Sequence, residues 1–319
     1  MAETGWAWTG LRRAGAGALV ATAILVVTAA PADAHTITGT KPTDYQSQIL
    51  SVAPALAGLS LRLLDLGNKV ELTNATGNDI VVLGSDGQPL GSVGPGGRVR
   101  SGHTAKWRDQ RTRWEGADPP AVRAAPGVRH VVSQWSIPLQ AGDMPVVVLG
   151  RITWVPGASA VPWLLAALGL FAITVSLAWT RHWGPALAAA LAVLIAVDAV
   201  HSFASAAAGG DSVVVTIARV LGLGFLSTLA WLGGVWAIGR LQRKNELGLL
   251  VAALGGFVIG LYSLSDTTIL GRSQVAYAFA SVAARAAVSL SLGVGFGLVV
   301  AVVMVFKHNP GLVTQATET

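Results

Sequence analysis

Apolar residues follow two different rhythms along this chain. Between Leu59 and Val155 they alternate with polar ones: Leu59, Leu61 and Leu63 against Ser60 and Arg62, then Val70 and Leu72 against Lys69, Glu71 and Thr73. Period two is the mark of half-buried strands. Asn74-Ala75-Thr76-Gly77-Asn78 predicts a turn into a strand at Ile80–Leu83, and Ser85–Gln88 and Gly94–Gly97 predict further turns. Val131–Pro138 and Val146–Val155 predict a closing pair across Gly142-Asp143. Short strands at this spacing over about 120 residues predict an immunoglobulin-like β-sandwich. Asn74-Ala75-Thr76 also fits a glycosylation sequon, but its place between strand and turn favours turn chemistry.

Beyond residue 157 the rhythm changes to unbroken apolar runs. Spans are predicted near 160–180, 185–208, 213–239, 247–265 and 283–306, each near the 20 or so residues that a bilayer core requires. Arg181, then Arg240, Arg243 and Lys244, then Lys307 fall at alternate span ends, while the intervening links hold Asp211, Asp266 and Arg272. Under the positive-inside rule the basic ends and the C-terminus are expected in the cytoplasm. Trp163, Trp179 and Trp183 lie where rings settle at headgroup level. Gly222, Gly224, Gly233, Gly234, Gly255 and Gly256 read as helix-packing surfaces. Gly293, Gly295 and Gly297 do not follow a strand, so they are not read as a dinucleotide fingerprint.

The N-terminus carries a third pattern. Arg12 and Arg13 precede an apolar run to Ala30, and Ala32-Asp33-Ala34 supplies a small-x-small cleavage site. Residues 1–34 are therefore expected to be a signal peptide, 35–157 an extracytoplasmic sandwich, 158–308 a five-helix transmembrane domain and 309–319 a cytoplasmic tail. Composition agrees with a multi-pass protein of the plasma membrane: 52% hydrophobic residues, 12% charged, mean hydropathy +0.58. The absence of cysteine excludes disulfides, thiolate metal sites and thiol nucleophiles. The net charge of +6 comes from flanking arginines rather than a dense basic tract, so no nucleic-acid partner is expected. No nucleophile motif, paired-carboxylate site, phosphate loop or zinc-binding spacing appears, and the chain is not expected to be an enzyme.

Cleavage after Ala34 makes His35 the mature N-terminus, joining a free amine and an imidazole in one residue, as in copper histidine-brace sites. An equally plain alternative is that cleavage happens to precede a histidine. The closing segment Ser133–Pro138, Gly142-Asp143-Met144-Pro145 and Gly150–Trp154, together with the leading histidine, resembles the CopC family of copper-binding β-domains. Ala230-Trp231-Leu232-Gly233-Gly234 resembles a helix of the CopD membrane family. The resemblance implies copper as the ligand, with His35 and Asp143 among its donors. Met144 departs from it, standing where the CopC hairpin has a histidine. His103 and His130 are the further imidazoles, each beside arginines that disfavour a cation.

Ionisable residues inside the predicted spans form a second candidate site. Asp198 and His201 share a helix face at i, i+3, with Arg219 at similar depth and Asp266 and Arg285 flanking the last link. An outward-facing pocket for a cation or proton is one reading; structural ion bridges, Asp198 to Arg219 and Asp266 to Arg285, are the other. With only Met1, Met144 and Met304, a permease lined by soft ligands is not expected. Two functions follow: copper binding, handling or sensing at the outer face through His35, or a non-catalytic envelope scaffold whose sandwich binds a protein partner.

Overall fold

A computed structural model of the chain describes residues 40–309; His35 and the expected signal segment lie outside the described residues. Eight strands come first: β1 (Tyr45–Ala53), β2 (Leu59–Leu64), β3 (Lys69–Asn74), β4 (Ile80–Val82), β5 (Arg98–Val99), β6 (His103–Arg108), β7 (His130–Ala141) and β8 (Met144–Trp154). They form a five-stranded sheet in the order β1-β8-β7-β4-β5 and a three-stranded sheet in the order β2-β3-β6. A single core joins the sheets, with Val70, Leu72 and Trp107 from the small sheet meeting Ile80, Ile137, Leu139, Val148 and Ile152 from the large one. The expected strands at 59–63 and 70–73, the one at 80–83 as far as Val82, and the closing hairpin all form; β1, β5 and β6 are additional.

Two local devices hold the sandwich. Trp135 on β7 lies over its cross-strand partner Gly150, where a Cβ would come within 2.1 Å of the indole, so only glycine fits beneath the ring. The same indole donates to Ser47 Oγ at 3.1 Å and ties β1 to the hairpin. Asn74 is fully buried; its Nδ2 donates to the carbonyls of Asn78 and Val99, both at 2.8 Å, and its Oδ1 accepts from Thr76. That asparagine is therefore turn and inter-sheet chemistry, as its position suggested.

After a short α1 (Pro120–Ala124) inside the sandwich, the helical half comprises α2 (Val161–Ser176), α3 (Trp183–Ala207), α4 (Val213–Leu223), α5 (Phe225–Gln242), α6 (Glu246–Ser265), α7 (Thr268–Gly271) and α8 (Ser281–His308). Among the described residues four segments are long and apolar enough to cross a membrane, or five if α4 and α5 count as one broken span. The single span expected at 213–239 is corrected here, because α4 and α5 meet at 83°. The break falls at Gly224, where a Cβ would sit 2.5 Å from the Val220 carbonyl. At 1.5 Å rise per residue α4 is only about 16 Å long and cannot cross by itself. Its exposed Val213, Val214, Ile217 and Leu221 share one face, the pattern of a helix lying along a membrane surface.

Helix α8 is the most enclosed of the apolar helices and packs against α2, α3 and α6. Glycines permit these approaches. Gly256 and Gly295 stand against each other's backbone across α6 and α8, and Gly293 and Gly297 stand against α2.

The sandwich and the helices meet through specific bonds. The Asp44 side chain, 5% exposed, accepts from Arg272 Nη1 and from the Ser273 amide, both at 2.7 Å. Thr43 and Gln274 exchange backbone hydrogen bonds beside this pair. Leu64 of β2 packs on Gly210 in the α3–α4 link, and Lys106 of β6 donates to the Gly210 carbonyl.

Candidate functional site

The polar residues of the helical half gather at the end that faces the sandwich. Helix α3 runs towards that end and carries Asp198 and His201 one turn apart, both buried. Asp198 Oδ2 accepts the indole N–H of Trp231 from α5 at 2.8 Å. Asp266 caps the C-terminus of α6 and puts Oδ2 3.5 Å from His201 Nε2. The Tyr277 ring, in the link between α7 and α8, stands 5.4 Å from the imidazole, and burial pushes its phenol pKa up. Tyr262 of α6 lies within electrostatic range of Asp198. His201 Nδ1 is buried and has no hydrogen-bond partner among the described residues.

The ion bridges considered from sequence do not form. Arg219 turns to Asp211 at 2.7 Å, because it sits on α4 before the break rather than within a continuous third span. Arg285 donates from Nη2 to the Arg272 carbonyl at 2.7 Å, and its Nε has no partner among the described residues. Of the five residues grouped from sequence, the structure brings Asp198, His201 and Asp266 together. Arg285 joins the clasp beneath Asp44, and Arg219 lies apart in the α3–α4 region. No Lys or Arg nitrogen among the described residues comes within salt-bridge distance of Asp198 or Asp266.

The candidate metal ligands are dispersed. Asp143 occupies the β7–β8 turn of the large sheet. His103 opens β6 in the small sheet, where its Nδ1 meets the Ser101 carbonyl at 3.0 Å. His130 Nε2 meets the Ala125 carbonyl at 2.8 Å. Among the described residues no three His, Cys, Asp or Glu side chains are grouped to hold a metal ion.

Two charged clusters secure the sandwich instead. Glu71 is buried on β3 between Arg62 and Lys106; the Arg62 hydrogen bond holds its carboxyl below the usual range, against the opposing effect of burial. Burial pushes Asp109 up, but hydrogen bonds from Arg111 at 2.7–2.8 Å and from the Trp107 indole at 3.1 Å outweigh it and hold the carboxyl low. Sequence reasoning missed Asp44 as a site residue. Its partner Arg272 lies 228 positions away, and neither has a local pattern that would reveal the pairing. No protein-family model matches the chain, and no curated protein or solved structure matches it.

Proposed function

We propose that this is a multi-pass plasma-membrane protein that handles a cation at its outer face, its extracytoplasmic sandwich seated on the helices that hold the responding group. One observation carries this reading: Asp198 and His201, both buried, and the partly buried Asp266 form a carboxylate–imidazole–carboxylate group with no Lys or Arg in salt-bridge range among the described residues. An ionisable residue in a bilayer costs at least about 2.5 kcal/mol on insertion scales, which favours a functional role or a satisfied partner. Two carboxylates facing one neutral-or-cationic ring attract a proton or a small cation.

Copper is the metal in this reading, bound through the mature amine and imidazole of His35, with the intramembrane group responding to its arrival. The sandwich is of the immunoglobulin-like class. Its order β2-β3-β6 against β5-β4-β7-β8 follows the A-B-E and C′-C-F-G order of that fold, with β1 added beyond the last strand. The test is titration of the mature, full-length protein with Cu(II), with the N-terminal amine free and then acetylated. Amine-dependent binding supports the reading; equal binding in both forms rejects His35.

The second reading is an envelope scaffold or accessory subunit whose sandwich binds another protein. The bonded seat between Thr43-Asp44 and Arg272–Gln274 supports it, since a fixed domain presents a fixed surface. It requires no effect of copper and a partner that stays bound in mild detergent.

A further inference from the structure

The end of the bundle remote from the sandwich carries a charge arrangement unlike that of the near end. There Arg219 and Arg272 are paired with Asp211 and Asp44. At the far end Arg181, Arg240, Arg243, Lys244 and Lys307 have no carboxylate within 4.0 Å among the described residues. Two of them lie over tryptophans: the Arg240 guanidinium 4.8 Å from the Trp236 ring centre and the Lys244 ammonium 5.7 Å from that of Trp183. The start of α3 is pressed against the end of α5, because Gly184 leaves room only for the Leu241 carbonyl and the Lys244 stem.

The outer surface of α5 continues this charge into the membrane. Phe225, Leu229, Leu232, Trp236, Arg240 and Arg243 recur at intervals of three and four, so they form one stripe along the helix. All six are exposed, Leu232 to 66%. The order along the stripe is apolar, then indole, then guanidinium. A phospholipid presents the same order in one leaflet: acyl chain, glycerol region, anionic headgroup. Glu246, at the first turn of α6, is the acidic residue of the same corner; set against Arg240, Arg243 and Lys244, it leaves a formal charge of +2.

We infer that α5 and the α5–α6 turn form a binding site for one anionic phospholipid in the leaflet remote from the sandwich. Arg240 and Arg243 hold the headgroup phosphate, Lys244 adds charge beside it, Trp236 lies at the glycerol level, and Leu229 and Leu232 line the acyl chain. Stacking on Trp236 keeps the Arg240 fork pointing to the membrane surface while its stem covers apolar area.

The test is native mass spectrometry of the full-length protein, released from bilayers of mixed phosphatidylglycerol and phosphatidylcholine. The expected result is retention of phosphatidylglycerol in preference to phosphatidylcholine. Each arginine removed should lower that preference about fivefold, so Arg240→Gln with Arg243→Gln should lose roughly 25-fold. The charge-preserving pair Arg240→Lys with Arg243→Lys should retain most of it, which separates lost charge from lost folding. Lys307→Gln, off the stripe, should change the preference less than twofold. Inorganic phosphate at millimolar concentration should fail to displace the lipid. Equal preference in wild type and the double glutamine variant would overturn the assignment, and so would displacement by inorganic phosphate.

Discussion

Removing the Asp44 carboxylate should loosen the sandwich from the helices in a graded way. The side chain is 5% exposed and accepts from Arg272 Nη1 and the Ser273 amide, both at 2.7 Å. The two bonds are unequal. The Arg272 side chain is half exposed, so water replaces its lost partner, and that pair is worth about 0–1 kcal/mol. The Ser273 amide loses an ionised acceptor in a partly buried place, at a cost of about 1.5–3 kcal/mol. Asp44→Ala should therefore cost about 1.5–4 kcal/mol. Asp44→Asn keeps an oxygen for the Ser273 amide and should cost about half as much. Thermal unfolding of the detergent-purified protein reads the total, and protease cleavage within residues 155–160 reads separation of the sandwich. An unchanged Asp44→Ala protein, or an asparagine variant as unstable as the alanine one, would refute this division of the energy.

Trp135→Ala should destabilise the sandwich by about 3–5 kcal/mol, and Gly150→Ala should also destabilise it because the new methyl meets the indole; the double variant should lose less than the sum of the two single losses, a coupling that a melting cycle measures. Asp211→Asn and Arg219→Gln should be coupled in the same kind of cycle, whereas Asp198→Asn and Arg219→Gln should add independently, since Arg219 bonds Asp211. Glu71 and Asp109 have carboxyls held below their unfolded range, so their stabilisation is present above the unfolded value of about 4 and disappears as pH falls through the lower folded value. Melting temperature should drop in that acid window, and Glu71→Gln should shrink the drop; an unchanged acid response would remove Glu71 from the account.

Much of the fold was legible because burial writes itself into periodicity. The strands around Leu61 and Leu72 and the Trp135–Leu139 part of the hairpin repeat every second residue, the short apolar run at Ile80–Leu83 is bounded by turn residues, and the long helices are continuous apolar runs. β6 carried the same signal, with Ala105 and Trp107 turned inward between polar neighbours, but its basic setting resembles a turn. β1 was harder: as an edge strand it is half-buried on most of its length, so no clean alternation marks it. The break at Gly224 was hidden because α4 and α5 are both apolar, and what distinguishes the bend is a glycine that leaves room for the Val220 carbonyl. Helical spacing identified Asp198 and His201, but long-range packing chose their partners. Trp231, Asp266 and the Asp44–Arg272 pair come from distant segments, and this is where the expected bridges failed.

The central claim is that the Asp198–His201–Asp266 group responds to a cation arriving at the outer face. Infrared difference spectroscopy of the mature protein in bilayers tests it most directly, through the C=O stretch of a protonated carboxyl as Cu(II) is added or the outer pH is lowered. The account requires a carboxyl band that changes with the outer cation and is lost in Asp198→Asn. A folded, membrane-inserted protein whose carboxyl bands respond to neither Cu(II) nor protons would contradict it, and would leave the helices as an anchor for the sandwich.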